Sequence, residues 1–437
     1  MTSILSPLCT KLAVLAFGSF ALAAHAVAPA RINAQQLRED VAFIRQTVAQ
    51  VHPDLRHSAD PRALAAALDG IAADAPAELT RDEAWQRLAT LNPVFADGHL
   101  FVGYPDWRAD GAAHLAAGGL FFPFEVDIRE PGRLSIRAAL GGGATELAGA
   151  RILAIDGVPA QPTTAALLQR AHGDTPLFRA RLLAERWWLY HWKMVGAPAH
   201  YRLDLERAGR RWAVDVPASG ATPVALSAAT DFARQFSFTI RHDGVAVLKA
   251  GSFDGAFKDR FLALTHAAFA RLRDEHVSTL QIDISDNGGG DDDVWLEGLM
   301  PYLATQPYRT GSTYKKRVLE PKAGSGETAG QVVEGEIQTW RQPELDNPLR
   351  FKGKLVVVIG PATYSSAVLF ANVIQDFGFG TLAGTGNAAR RTQSGGIRKF
   401  VLPHSGLALW VPRFVLDPPA GASPGAMLAP ATGNGMP

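Results

Sequence analysis

The sequence is poor in cysteine, which narrows the chemistry open to it. Cys9 is the only cysteine among 437 residues, and it lies ahead of an apolar run near the N-terminus. Residues 1–26 are predicted to be a signal peptide, because Lys11 precedes the apolar residues 12–24 and residues 24–26 have the small-x-small form of a cleavage site. The mature chain would then contain no cysteine. Disulfides, thiol catalysis and cysteine-bound metal are therefore excluded.

Long apolar runs and an excess of one charge are also lacking. After the N-terminal segment no run reaches transmembrane length, so we expect no stable membrane insertion once the signal is removed; a retained anchor would need a longer span. Lys and Arg (43) nearly balance Asp and Glu (42), without a basic stripe, so nucleic acid is not an expected partner. No His-Glu-x-x-His or comparable spacing occurs, so neither a metal nor a cofactor is expected. The predicted localisation is periplasmic or secreted.

The pattern of the remaining chain predicts three parts. A helical N-terminal domain is expected over residues 27–105, a β-rich domain over 106–220 and an α/β core over 221–437. The predicted helices of the first part are 34–51, 61–73 and 80–91. The predicted elements of the second part are strands 122–128, 134–138, 152–155, 201–205 and 212–216 and one helix, 163–171. In the core, strands and helices alternate around a mainly parallel or mixed sheet, and residues 310–350 are expected to be a long surface excursion.

The core is organised around residues 354–376. An apolar, β-branched run up to Ile359 indicates a buried strand, and helical spacing begins after Ser366. A strand that turns sharply through a serine into a helix can hold the hydroxyl clear of the backbone. The helix N–H groups then lie where negative charge would develop. A serine before a helix is also the ordinary N-cap. This segment alone leaves both interpretations open.

A second informative stretch, residues 280–293, runs from a buried strand into three consecutive glycines, Gly288 to Gly290. Glycine allows positive φ and lets consecutive N–H groups point at one anion. A phosphate site is disfavoured because no Gly-Lys-Ser/Thr follows and Asp291–Asp293 would repel phosphate. A calcium loop fails because Val294 stands where a glutamate is needed. An oxyanion hole and a simple tight turn remain.

His99 is the candidate base, since it follows Asp97-Gly98 and begins a predicted strand at a domain junction. In the β-rich part, residues 149–160 resemble the strand-and-turn signature of PDZ domains. Residues Gly119, Leu120 and Phe121 loosely resemble the loop with which such domains hold a peptide carboxylate. An ordinary β-module with an Asp-Gly turn is the alternative.

Together these motifs resemble the tail-specific, or C-terminal processing, serine proteases, and especially the branch with a histidine base that includes tricorn-like peptidases. Residues 283–290 match the Asp-Leu-Arg-x-Asn-x-Gly-Gly pattern, with Ser285 in place of arginine. Residues 363–367 match the nucleophile motif, and Asp97-Gly98-His99 matches the N-terminal Asp-x-His. The three motifs occur in the family's order over roughly residues 35–430.

The resemblance implies a crotonase-like α/β core preceded by a helical domain and a PDZ-like insert. Ser365 would attack a peptide carbonyl and His99 would accept its proton. The backbone N–H groups of Gly289 or Gly290 and of Ser366 would hold the oxyanion. The expected substrate is an unfolded or C-terminally exposed polypeptide, cleaved through an acyl-enzyme on Ser365.

Two positions depart from the family pattern. Arg390 stands where the classical branch has its lysine base, and a guanidinium cannot shed its proton. The glutamate that orients the imidazole in the histidine branch is absent. Asp417, the only acidic residue after Asp376, is the candidate for that role. The alternative function is a weakened or inactive family member that binds peptides or apolar ligands.

Overall fold

The computed structural model describes residues 31–129, 132–321, 323–422 and 424–430. The predicted signal peptide, residues 1–26, lies outside this range. Within the described residues no helix combines the length and apolar character needed to cross a membrane.

The N-terminal part is mainly helical, as predicted, and its helices begin at clear capping residues. Asn33 and Thr80 each accept a hydrogen bond from the backbone three residues on and form capping boxes with Gln36 and Glu83. The elements are β1 (Arg31–Asn33), α1 (Ala34–Val51), α2 (Leu55–Ser58), α3 (Pro61–Ala73), β2 (Glu78–Thr80), α4 (Arg81–Leu88), α5 (Asn92–Phe95), β3 (Phe101–Gly103) and α6 (Trp107–Ala116).

The middle part forms an antiparallel sheet in the order β4-β5-β6-β8-β9, with β7 paired to β6, and the five predicted strands are confirmed. Its elements are β4 (Phe124–Arg129), β5 (Arg133–Ala139), β6 (Arg151–Ile155), β7 (Val158–Pro159), α7 (Ala160–Leu168), α8 (Pro176–Glu185), α9 (Trp187–Val195), β8 (His200–Arg207) and β9 (Arg210–Pro217). The prediction of a single helix was wrong, since α8 and α9 were missed. Thr175, which caps α8 ahead of Pro176, is the signal that marks its start.

The C-terminal part contains a mixed sheet, β10-β11-β12-β15-β16, with one antiparallel pair and then parallel pairs, as predicted. The elements up to β15 are α10 (Val224–Ser227), α11 (Phe232–Gln235), β10 (Phe236–Ile240), β11 (Val245–Ala250), α12 (Lys258–Asp274), β12 (Thr279–Asp283), α13 (Asp292–Gly298), α14 (Met300–Leu303), β13 (Thr313–Arg317), β14 (Val332–Glu336) and β15 (Lys354–Ile359). The remaining elements are α15 (Ser366–Asp376), β16 (Thr381–Gly384), β17 (Gln393–Gly395), β18 (Arg398–Val401), β19 (Ala408–Val411) and β20 (Phe414–Leu416).

Residues 310–350 are more ordered than the predicted surface excursion. They contain β13 and β14, which join β20 and β17 in an antiparallel sheet ordered β14-β13-β20-β17. The polar composition concealed the strands because β13 is only half-buried along its whole length.

Two pairings bring distant motifs to one place. Strands β12 and β15 are parallel neighbours, so their carboxyl ends, which lead into the glycine loop and the serine turn, lie at one edge of the sheet. Strand β3, which follows His99, pairs with β19. The N-terminal base motif is thereby joined to the C-terminal part of the chain.

Candidate active site

Ser365 occupies a strained turn between β15 and α15. Its backbone has φ 54° and ψ −127°, a region that residues with a side chain rarely adopt. The side chain makes no capping hydrogen bond to the helix, so the N-cap interpretation is wrong for Ser365. The backbone N–H of Ser365 donates to Oε1 of Gln393 at 3.0 Å. The turn therefore presents the hydroxyl and fixes the backbone instead of capping the helix.

The neighbouring hydroxyl, that of Ser366, is already engaged. Ser366 is buried, its Oγ donates to a carboxylate oxygen of Asp292, and it accepts from the indole Nε1 of Trp295 at 3.0 Å. Burial has the largest effect on the pKa of Asp292 and raises it. Hydrogen bonds with Ser366 and Trp295 partly offset this rise. Of the two serines, only Ser365 has its hydroxyl unengaged within the described part of the chain.

The glycine loop leaves space beside this serine. A Cβ on Gly289 would lie 2.6 Å from Cβ of Ser365 and 2.9 Å from the backbone nitrogen of Ser366, so a side chain there would fill the space in front of that amide. The N–H of Gly289 itself donates to Oδ1 of Asn287 at 2.8 Å. Among the described residues, the N–H groups of Gly290 and Ser366 have no acceptor. Of the two predicted glycine donors, Gly290 is thus the one whose N–H remains free.

His99 lies beside the serine turn. Its ring is 4.9 Å, centroid to centroid, from that of Tyr364, the residue that precedes Ser365. Its Nδ1 lies 3.1 Å from Oγ of Ser394, and its Nε2 makes no hydrogen bond to any described residue. No hydrogen bond joins His99 to Ser365 in this structure, which is common for catalytic pairs before substrate binds.

The buried carboxylate of Asp97 connects to this imidazole. Its Oδ1 accepts from Oγ of Ser394 at 2.9 Å and from the backbone N–H of His99 at 2.7 Å, and its Oδ2 accepts from Oγ of Ser58. Because Ser394 donates to Asp97, it can accept from Nδ1–H of His99. This arrangement favours the tautomer with an unprotonated Nε2.

At both His99 and Asp97, burial and the neighbouring charges shift the pKa in opposite directions. Burial lowers the pKa of His99 from its usual 6.5, and the nearby carboxylates of Asp97 and Asp174 act to raise it. Burial would raise the pKa of Asp97, but the nearby His99 and His57 hold it well below its usual value. Asp97 is therefore ionised and His99 neutral near pH 7, the states that a base and its supporting carboxylate require.

Asp417 does not contact His99. Its two carboxylate oxygens accept from the hydroxyl groups of Thr313 at 2.5 Å and Thr392 at 2.9 Å. The predicted role of Asp417 in orienting the imidazole therefore has no contact to support it, whereas Asp97 reaches the ring through Ser394.

Arg390 tethers the segment that carries the base. Its guanidinium donates to the carbonyl oxygens of His57 and Ala96 and pairs with Asp174 at 3.3 Å. Asp174 in turn accepts from the hydroxyl of Tyr364 at 2.6 Å. The residue in the place of the classical lysine thus holds the loop before His99 against the serine turn.

The predicted carboxylate-binding loop is closed. The N–H of Gly119 donates to the carbonyl of His114 at 2.8 Å, and Phe121 exchanges both backbone hydrogen bonds with Ser219 at 2.9 Å. The carbonyl of Leu120 lies 3.1 Å from Nε2 of His114. The predicted binding role of Gly119, Leu120 and Phe121 is therefore unsupported, since the donors at two of these positions are already used.

His99, Gly290 and Ser365 line two adjoining cavities, which we call the first and second arms of the cleft. The first arm has a volume of about 480 Å³, and its lining includes Phe178 and Leu182 of α8. The second has about 410 Å³ and includes Ser366 and Leu369. Both arms therefore open onto Ser365.

The supporting residues were missed from sequence. The sequence motifs contain Asp97 only as part of Asp-x-His, and they assign no role to Ser394. Ser394 is 295 positions from His99 in the chain, so spacing could not have revealed their contact. The proximity of Asp97 to His99 in sequence was the one available signal.

The strain at Ser365 predicts an inverted order of stability at this position. Ser365→Gly should be more stable to urea than Ser365→Ala, by about 1 kcal/mol, because glycine adopts the observed φ and ψ without a Cβ penalty. The same pair of substitutions at Ser237, an exposed position in β10, should show the usual order, with alanine the more stable. An alanine variant that is the more stable at both sites would mean that Ser365 is not strained.

Comparison with known proteins agrees with the motif assignment. Residues 244–417 match the family described as peptidase family S41, a range that includes Ser365 and the glycine loop but not His99. No curated protein matches the chain significantly.

Solved structures with a similar fold include mature CPAF, which is 14% identical, with 91% of this chain and 92% of that chain covered and a TM-score of 0.60. A CPAF mutant gives 13% identity, coverage of 91% and 92% and a TM-score of 0.61. The photosystem II D1 C-terminal processing protease gives 14% identity, coverage of 90% and 92% and a TM-score of 0.48. The CPAF structures share this mixed α/β fold, and the family predicted from the motifs is confirmed: the chain contains a peptidase family S41 domain and is a serine-type peptidase.

Proposed function

We propose that the protein is an exported serine endopeptidase that cleaves unfolded or C-terminally exposed polypeptides, with Ser365 as nucleophile and His99 as general base. The observation that carries the proposal is that both side chains line the same two cavities. Ser365 also has a strained backbone and an unengaged hydroxyl, which suits a residue held ready to react.

In the proposed mechanism His99 takes the hydroxyl proton of Ser365 through Nε2 as Oγ attacks the scissile carbonyl carbon. The N–H groups of Gly290 and Ser366 donate to the oxyanion of the tetrahedral intermediate. The imidazolium then gives its proton to the leaving amine, and water hydrolyses the acyl-enzyme on Ser365. In this proposal the tautomer of His99 and the free N–H groups of Gly290 and Ser366 are in place before the substrate binds.

The Asp97–Ser394–His99 network supplies what a separate glutamate would otherwise provide. The hydroxyl of Ser394 holds Nδ1 in its protonated form, and the negative charge of Asp97 stabilises the imidazolium that forms during attack. Asp97 and Ser394 are positioning residues, since they act on the base and not on the substrate.

Architecture and localisation belong to the same proposal. Residues 1–26 are inferred to direct export, as their charge and apolar pattern indicates. Residues 27–105 would form the helical domain, residues 106–220 a PDZ-like domain and residues 221–437 a crotonase-like core. The antiparallel sheet β4–β9 and the parallel strands β11, β12, β15 and β16 are consistent with these assignments.

A second function is favoured by the departures from the family pattern. The orienting glutamate is absent and Arg390 replaces the lysine base, so the same cleft would belong to a catalytically weakened protein that binds peptides or apolar ligands. The two functions differ in the reactivity of the Ser365 hydroxyl, which the first experiment below measures.

The first prediction concerns hydrolysis. Purified protein should cleave unfolded casein and should be labelled by a fluorophosphonate probe at Ser365. Ser365→Ala should abolish labelling and reduce turnover by roughly 10⁴- to 10⁶-fold, because the nucleophile is removed. Ser237→Ala, at an exposed serine without a hydrogen-bond partner among the described residues, should leave both unchanged. Equal casein turnover by wild type and Ser365→Ala would contradict the peptidase proposal. Labelling at Ser365 would contradict the alternative that the protein only binds peptides or apolar ligands.

The second prediction concerns pH. Activity requires neutral His99, whose pKa is lowered by burial, so kcat/KM should fall only as the pH drops through a value below 6.5. Asp97 acts to raise that pKa, so Asp97→Asn should move the acid limb to still lower pH and reduce the maximum by about 10²- to 10⁴-fold.

The matched control is Asp417→Asn, which removes a carboxylate that contacts Thr313 and Thr392 instead of the imidazole. Its acid limb should coincide with that of wild type. A limb that moves in Asp417→Asn and stays in place in Asp97→Asn would return the orienting role to Asp417. Circular dichroism of both variants checks that the fold is retained.

A further inference from the structure

A small cavity, which we call the inner cavity, adjoins the first arm of the cleft. It has a volume of about 30 Å³, and its lining includes the aromatic residues Phe101, Tyr104 and Trp107. His172 and Arg186 line both the inner cavity and the first arm, so these two side chains form the wall between them. A cavity needs only about 10 to 15 Å³ to hold a water molecule, so the inner cavity has room for a small polar group.

The wall contains two buried polar atoms without a partner. Nε2 of His172 and Nε of Arg186 are both buried, and neither makes a hydrogen bond to any described residue. A buried polar atom that is left unpaired costs free energy, which a ligand that pairs with it recovers. Two such atoms in the wall of one cavity therefore indicate that the cavity receives a polar ligand.

The surroundings of His172 fix its Nε2 as a hydrogen-bond acceptor. Nδ1 lies 3.0 Å from the carbonyl oxygen of Gly98, which can only accept, so Nδ1 carries the proton. Burial and the charge of Arg186 lower the pKa of His172 to about 3, so the ring is neutral near pH 7. The ring also stacks on that of Phe101, with the centroids 3.9 Å apart, and this contact holds its orientation.

Arg186 supplies a donor at a fixed position. It lies at the corner where α8 ends and α9 begins, and its backbone N–H donates to the carbonyl of Leu182 at 3.1 Å. Its guanidinium lies over the ring of Trp107, with Cζ 4.7 Å from the ring centroid. The corner and the aromatic contact together hold the Nε–H group in the wall.

One acceptor and one donor in the same wall select a neutral group that offers a partner to each. An ammonium group would be repelled by the charge of Arg186, and a carboxylate would place an oxygen against the lone pair on Nε2 of His172. An aliphatic side chain would leave both atoms unpaired. A carboxamide carries an N–H for His172 and a carbonyl oxygen for Arg186 on separate atoms, and its planar shape suits a cavity lined by aromatic rings.

We propose that the inner cavity binds the carboxamide of a substrate Asn or Gln side chain, through Nε2 of His172 and Nε of Arg186. This inference rests on the proposed peptidase function and names a feature of its substrate. The two wall residues also line the first arm, which opens onto Ser365. The recognised side chain would therefore lie at one fixed position from the scissile bond.

The test uses a casein peptide that the protein cuts, with both ends blocked and one position varied between Gln, Glu and Met, which are similar in size. The set is repeated for every position near the scissile bond, and an Asn, Asp and Leu set covers the shorter side chain. In at least one set, wild-type protein should give a kcat/KM roughly tenfold higher for the carboxamide than for its two analogues, at one position only. Equal or higher values for the analogues at every position would overturn the subsite.

Two variants assign the preference to the wall. His172→Asn keeps a donor for the carbonyl of Gly98 but lacks the acceptor Nε2, and Arg186→Met removes the donor with a side chain of similar reach. Each should lower the ratio of carboxamide to aliphatic kcat/KM toward one. The matched controls are His200→Asn and Arg210→Met, at exposed positions of β8 and β9 outside both cavities, and they should keep the wild-type ratio. An unchanged ratio in either wall variant would overturn the subsite.

A binding measurement separates the subsite from catalysis. Ser365→Ala protein should bind the carboxamide peptide roughly tenfold more tightly than its aliphatic analogue, and adding His172→Asn or Arg186→Met should remove the difference. This result without any cleavage by wild type would support the subsite and overturn the peptidase. Cleavage and Ser365 labelling without a carboxamide preference in either measurement would overturn only the subsite.

Discussion

The burial of one charge, the carboxylate of Asp97, is the constraint on which the site depends. A buried charge is tolerated only when several donors surround it. Here the donors come from separate parts of the chain: Ser58 in the N-terminal helices, the backbone of His99 beside β3, and Ser394 in β17. The requirement that keeps this anion stable therefore also fixes the position of the imidazole. The same hydrogen bonds therefore support the fold and position the imidazole.

The strain at Ser365 is maintained by its surroundings. The N–H of Tyr364 donates to the carbonyl of Asn287 at 3.0 Å, and the hydroxyl of Thr363 donates to that of Ile284 at 2.8 Å. These bonds join the serine turn to the glycine loop, so neither can relax alone. An unfavourable conformation persists at a functional position when neighbouring contacts over-determine it. The two loops therefore form one rigid unit at the edge of the sheet.

The sequence motifs singled out Ser365 and His99, which the structure brings to one cleft, but not the residues that contact them. Ser365 and His99 could be identified because each lies in a short motif, and the mixed sheet followed from alternating strands and helices. Asp417 was chosen for its place near the C-terminus, but chain position says little about contact across a folded molecule. The predictions for the Gly119 loop and for helix α9 failed for related reasons. Backbone hydrogen bonds to His114 and Ser219 close the loop, and α9 is a run of aromatic residues; neither feature follows a simple hydrophobic period.

The pairing of β3 with β19 has a consequence for biosynthesis. His99 and its partner Ser394 are 295 positions apart, and the strand that anchors the base is added to the sheet only by residues near the C-terminus. Long-range strand pairings form late in folding because loop closure must precede them. A chain that has been synthesised only as far as β17 thus contains Ser365 but lacks the strand that holds β3 and the neighbouring His99 in place. The position of His99 seen here is therefore reached only after residues 408–411 are available to pair with β3.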